Sequence, residues 1–142
     1  MKLQQVLAPK GREIFTLSPS APVSEAIGIL AENNIGAIVA IDATGAPEGI
    51  LSERDIIRAA ATGTMPYESA VADLMTREII TGSPDDDLEP VLRIMTARHF
   101  RHLPVVEEGR LIGMLTLSDL VKAQMQWLQG AVENLETQLL QS

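Results

Sequence analysis

Apolar residues at Val23, Ala26, Ile27, Leu30 and Ala31 recur near the 3.6-residue period of an amphipathic helix. Leu88, Val91, Leu92, Met95 and Thr96 carry the same spacing further along. Each stripe is followed by a short unbroken apolar run, residues 37–41 and 103–106, of the length of a buried strand. Turn residues at 43–47 and 107–109 then lead into second runs at 48–51 and 110–115, which continue directly into further helices. With an extended Ser/Thr-Pro segment ahead of each first helix, the order predicted is β-α-β-β-α, twice.

The two halves are copies. Thr16-Leu17-Ser18-Pro19 recurs as Thr81-Gly82-Ser83-Pro84, 65 residues on, and the pair Asn34-Ile35 meets His99-Phe100 at that same offset. Gly49-Ile50-Leu51-Ser52 matches Gly113-Met114-Leu115-Thr116 at an offset of 64, so one residue has been lost in the hairpin turn, where length changes are tolerated. Gly63 stops a helix and Pro66 opens the approach to the second copy. The sequence divides as 1–64 (first repeat with an N-terminal segment), 65–123 (second repeat) and 124–142 (a C-terminal helical extension). Neither copy can bury its strands alone. Stacking about a pseudo-twofold axis gives an α+β fold with two related clefts.

Composition narrows the function. The core is aliphatic, with 46% hydrophobic but 3% aromatic residues. No cysteine is present, which excludes disulfides and thiolate chemistry. A formal net charge of −8 opposes binding to nucleic acid or to anionic membranes. No run reaches the roughly 20 apolar residues of a membrane span, and no secretory leader is visible, so a cytoplasmic location is expected.

The strand-to-helix junctions carry the candidate chemistry. Ser52 precedes Asp55 by three positions, and Thr116 precedes Asp119 likewise. One reading is a capping box serving backbone N–H groups alone. The other gives the aspartate to a cis-diol, while the hydroxyl and the helix N-terminus suit a phosphate. Arg54 stands within the first junction, and Arg98, His99, Arg101 and His102 form a basic group ahead of the second core strand. Asp85, Asp86 and Asp87 read as helix N-terminal acids rather than a metal site. Neither a nucleophile–base–orienter series nor a phosphate-binding glycine loop is present, so no catalytic and no metal residue is assigned and the protein is not expected to be an enzyme.

Taken in order, Asn34-Ile35-Gly36-Ala37-Ile38-Val39, Gly49 to Asp55, Val71 to Thr76, Arg101-His102-Leu103-Pro104-Val105 and Gly113 to Asp119 resemble a tandem pair of CBS domains, the family named after cystathionine β-synthase. The resemblance covers roughly residues 12–122 and is closest to stand-alone two-repeat regulatory proteins. It implies regulatory binding of an adenosine compound: AMP foremost, with ADP, ATP, NAD(H) or S-adenosylmethionine as the other ligands of the family. By position it implies that Asp55 and Asp119 hold ribose hydroxyls, and that Ser52, Arg54, Thr116 and Ser118 lie near phosphate. Thr16 and Thr81 would approach the adenine edge. Backbone at Gly36, Ala37, Ile38, His102, Leu103 and Pro104 would line the base pocket, with Arg101 and His102 replacing Gly36 and Ala37 in the second copy. A homodimer and a regulated partner protein are also implied. The alternative is a dimerisation or interaction scaffold that binds no ligand.

Beyond the repeats, Val121, Met125, Leu128, Val132, Leu135 and Leu139 follow at alternating spacings of four and three, an a/d seam of nearly three heptads. It predicts either a helix folded back on its own module or a self-association helix, with Trp127 nearby as a reporter.

Overall fold

The apolar stripes form the helices that the spacing predicts, within a computed structural model that describes residues 1–11, 14–64 and 66–141. In chain order the elements are α1 (Leu3–Lys10), β1 (Thr16–Leu17), α2 (Val23–Asn33), β2 (Ala37–Ile41), β3 (Pro47–Ser52), α3 (Glu53–Ala61), a 3-10 turn (Pro66–Glu68), α4 (Val71–Leu74), α5 (Leu88–Arg98), β4 (His102–Glu107), β5 (Arg110–Thr116) and α6 (Leu117–Gln141). Helices α2 and α5 both end in a left-handed residue, Asn34 at φ 52° and His99 at φ 58°. Asn and His are among the side chains that adopt this region most readily. The reversal turns the chain into β2 and β4 at equivalent places.

In the first repeat β1 lies parallel to β2, and β2 pairs antiparallel with β3. In the second, β4 and β5 form the antiparallel hairpin, and the counterpart of β1 shrinks to one parallel bridge, Gly82 to Val105. The hairpin turns explain the change of offset. Asp42 Oδ1 holds a longer turn by accepting from the Thr44 and Ala46 amides at 2.8 and 3.1 Å. The second turn is made by Glu108 and Gly109, both at positive φ, 51° and 78°. That conformation suits a tight hairpin. The two hairpins meet where the Leu111 amide donates to the Gly45 carbonyl at 3.0 Å.

Each repeat has its own core. Leu17, Val23, Leu30, Ile38 and Leu51 cluster in the first, and Leu88, Met95, Leu103, Val105, Leu115 and Leu120 in the second. The leading helices are distributed across the chain order. Val71 and Met75 complete the first core, whereas Leu3 and Leu7 from the start of the chain complete the second. The backbone repeats this arrangement bond for bond. Leu3 N donates to Asp86 O at 2.9 Å and Gln4 N to Pro84 O at 3.0 Å; Val71 N donates to Ala21 O and Ala72 N to Pro19 O, both at 2.8 Å. Residues 1–10 precede the first repeat in sequence but pack with the second.

The repeated glycines make room for these helices. A Cβ on Gly49 would stand 2.6 Å from Met75 Sδ, and one on Gly113 would stand 2.5 Å from Leu7 Cδ1. Lys2 and Asp87 tie α1 to the start of α5 at 2.9 Å, and Asp86 Oδ2 accepts from the Ser83 amide at 2.8 Å, so two of the three consecutive acids have structural partners. Among the described residues no helix is long and apolar enough to cross a membrane.

Candidate functional site

Both strand-to-helix junctions adopt the same hydroxyl–aspartate frame. Ser52 Oγ accepts from the Asp55 amide at 3.2 Å, and Asp55 Oδ2 accepts from the Ser52 amide at 2.9 Å and the Ser52 hydroxyl at 3.0 Å. At the second junction Thr116 Oγ1 accepts from the Asp119 amide at 3.1 Å, and Asp119 Oδ2 accepts from the Thr116 amide at 2.8 Å. The capping reading therefore holds at both places. It does not exclude the other, because the Ser52 bonds use one oxygen of Asp55. The second oxygen, Oδ1, meets the Thr76 hydroxyl at a long 3.4 Å.

A cavity of about 990 Å³ opens between the repeats at the first junction. Ser52, Glu53, Arg54, Asp55 and Arg58 line it from the first repeat, and Arg98, His99, Phe100, Arg101 and His102 from the second, with Thr116, Leu117 and Ser118 beyond. Four of the chain's eleven Lys and Arg residues line this cleft beside three acids, Glu53, Asp55 and Glu78, so the cleft is slightly positive within an acidic protein. Ile50, Ile57, Ile79, Ile80 and Phe100 supply apolar walls. The volume is that of a small-molecule site, and the lining combines apolar walls with many polar and charged groups.

Within each repeat an equivalent backbone hydrogen bond ties the strand-to-helix junction to the start of the core strand. Gly36 O accepts from the Glu53 amide and Arg101 O from the Leu117 amide, both at 2.9 Å. A Cβ on Gly36 would stand 3.2 Å from Glu53 Oε1 and 3.4 Å from His102 Nε2, so a larger residue would press on His102 across the repeat boundary. Burial lowers the His102 pKa below its ordinary value; Lys10 and Arg101 add to the effect and Glu53 opposes it. The imidazole is therefore neutral at pH 7.

At the second junction the aspartate is paired within the chain. Lys10, at the end of α1, places Nζ 2.6 Å from Asp119 Oδ2 and 2.9 Å from the Met114 carbonyl. Burial acts to raise the Asp119 pKa, but the Lys10 ammonium and the Thr116 hydrogen bonds outweigh it and hold the carboxyl below its ordinary range.

Of the residues singled out in the sequence, Gly36, Ser52, Arg54, Asp55, Arg101, His102, Thr116 and Ser118 line the one cavity. Asp119 lies outside that lining, paired with Lys10. Thr16 borders a shallower depression with Asp42 and Arg110, and Thr81 is exposed beside the Gly82 bridge. Ala37, Ile38, Leu103 and Pro104 are buried in the strands behind the cavity. Arg58 and Glu78 are lining residues the motifs did not point to, and Thr76, the last residue of one motif, was assigned no site role. Arg58 lies one turn beyond Arg54 on α3, a helical spacing that was available in the sequence. Thr76 and Glu78 follow α4 and reach the cavity only because that helix docks on β3. Among the described residues no group of three or more His, Asp or Glu side chains is arranged to hold a metal ion.

Two α+β repeats with exchanged leading helices and a charged cleft between them define a paired-repeat module. The chain belongs to the CBS domain family, whose model matches residues 11–62 and 71–126. It is 32% identical over 114 residues to the CBS domain-containing protein YhcV of Bacillus subtilis, covering 80% of each chain. It is similar to the crystal structure of the CBS-domain containing protein ATU1752 from Agrobacterium tumefaciens, with a TM-score of 0.80, 35% identity, and coverage of 87% of this chain and 99% of that one. The CBS domain pair of protein MJ0100, solved in complex with 5-methylthioadenosine and S-adenosyl-L-methionine, shares the fold at a TM-score of 0.78 and 24% identity, covering 89% of this chain and 97% of that one.

Proposed function

We propose that this chain is a regulatory module that binds an adenosine nucleotide, AMP foremost, in the cleft at Asp55 and transmits binding to a partner protein through the packing of its repeats. One observation carries the reading: Asp55 is locked by Ser52 through one carboxylate oxygen and lines a cavity into which Arg54, Arg58, Arg98 and Arg101 also converge. A carboxylate fixed in this way suits a cis-diol, and guanidinium groups suit phosphate. The apolar walls suit a base. MJ0100, whose fold this chain shares, was crystallised with adenosine compounds, which supports the ligand class.

The cavity is lined from both repeats, so a ligand that fits it better in one relative packing biases the module toward that packing. The bias extends only as far as the affinities for the two packings differ. No catalytic step is assigned. The reading is tested by isothermal titration of ligand-free protein with AMP, ADP, ATP, NADH and S-adenosylmethionine. One of them should bind, and Asp55→Ala should weaken it at least about tenfold, the loss of a charge-assisted hydrogen bond. Silence with all five would refute the proposal.

The scaffold reading draws on the capping boxes, which are complete at both junctions without a ligand. On that reading Asp55→Ala leaves partner binding intact and lowers stability by a cap's worth, about 1 kcal/mol.

A further inference from the structure

Where the first repeat enters its core strand with Gly36-Ala37, the second has Arg101-His102. The two small residues leave space at the repeat boundary, and the His102 imidazole occupies it. A Cβ on Gly36 would stand 3.4 Å from His102 Nε2 and 3.2 Å from Glu53 Oε1, so the ring and the carboxylate reach the same point from opposite repeats. Both line the cavity at Asp55. The ring is half-buried, and among the described residues it makes no hydrogen bond or ion pair. An imidazole placed in this way responds to whatever charge enters the cavity.

Charged groups face it from each element around it. Burial disfavours the imidazolium most, Lys10 at the end of α1 and Arg101 beside the ring add to this, and Glu53 at the start of α3 opposes them. Lys10 is itself held by Asp119 of α6. Around the cavity stand Arg54, Asp55 and Arg58 of α3, Glu78 after α4, and Arg98 and His99 at the end of α5. A phosphate bound among these arginines offsets the repulsion from Arg101 and adds an attraction of its own, so the protonated ring gains.

On the nucleotide reading proposed above, on which this rests, we infer that His102 takes up a proton when a phosphorylated ligand enters the cleft. It thereby determines specificity, favouring phosphorylated over uncharged adenosine compounds increasingly as pH falls. Linkage gives the sign: an anion that raises the proton affinity of the ring binds the protonated protein more tightly by the same factor. The imidazolium then faces Glu53 of the other repeat, so binding also adds an attraction across the repeat boundary.

The histidine signals of the full chain can be followed against pH by NMR, with His99→Asn separating the two; asparagine is the residue at the copied position, Asn34. Without ligand, Glu53→Gln should lower the His102 midpoint. Saturating AMP should raise the wild-type midpoint, and adenosine should leave it in place. Between pH 7.5 and 5.5 the AMP affinity should gain about threefold more in wild type than in His102→Gln, the effect of about half a unit in one group's pKa. The variant carries the titration of the AMP phosphate alone. A midpoint indifferent to Glu53→Gln, or raised equally by adenosine, would overturn the inference. So would AMP that binds without moving it, or equal pH dependence in the two proteins. AMP that does not bind refutes the nucleotide reading instead, and pyrophosphate, which needs neither ribose nor base pocket, then takes its place. It should raise the His102 midpoint, and a midpoint that stays put overturns the inference as well.

Discussion

At the residue scale, the informative atoms are the two oxygens of one carboxylate. The sequence left Asp55 and Asp119 between a cap and a ligand-holding role. The structure shows why the choice was not exclusive: Ser52 occupies Oδ2 of Asp55, and Oδ1 keeps only the long contact to Thr76. What the spacing could not show is Lys10, which is 109 positions from Asp119 yet bonded to it. Only the fold brings them together. We expect titration of the wild type with the bound nucleotide to give one site per chain, and Lys10→Ala to expose a second. An unchanged stoichiometry with that variant would mean that the ion pair does not close the second junction. His102 supplies a pH test. Its folded pKa lies below the ordinary value of 6.5, so the unfolded chain takes up the proton first as pH falls. Stability attributable to His102 is complete above 6.5 and declines below it, until the folded pKa is passed. Urea denaturation at pH 7.5 and 5.5 should show a smaller drop for His102→Gln than for wild type; equal drops would count against a buried neutral imidazole.

At the element scale, the helices and hairpins were legible because each copy repeated the other's apolar periodicity. Helix α1 was not. Its residues carry Pro9 and a weak stripe, and Leu3 and Leu7 gain meaning only against Gly82 and Gly113. These glycines differ in what a methyl group would meet. At Gly49 it would reach the Thr76 carbonyl at 3.0 Å as well as Met75, whereas at Gly113 the three nearest atoms all belong to the Leu7 side chain. Gly49→Ala should therefore cost about 1–3 kcal/mol in chemical denaturation, and Leu7→Ala should recover part of the smaller loss from Gly113→Ala. A Gly113→Ala variant that Leu7→Ala further destabilises would argue against the steric account. On α6, Gly130 has open space around its Cβ position, so Gly130→Ala should stabilise the helix by roughly 1 kcal/mol, read as a higher melting temperature of the helical signal.

At the scale of the whole molecule, the duplication predicted two related clefts, and the fold makes their aspartates unequal: Asp55 lines a large cavity, whereas Asp119 is paired with Lys10. Hydrogen exchange with the bound nucleotide should protect amides at 52–58 and 98–102 together, because both repeats line the cavity. Protection confined to one repeat would argue against coupling between them. The exchange of leading helices has a consequence for the birth of the protein. Leu7 leaves the ribosome 106 residues before Gly113, the position that accommodates it. At about 5–20 residues per second, α1 waits roughly 5–20 s without its core. Within that interval the first repeat can close on β1, β2 and β3 once Ser52 has emerged, but it lacks Val71 and Met75 until they follow. Nascent chains stalled between residues 75 and 110 should therefore hold a protease-resistant first repeat preceded by a cleavable α1, and resistance at α1 should arise only once β5 has emerged.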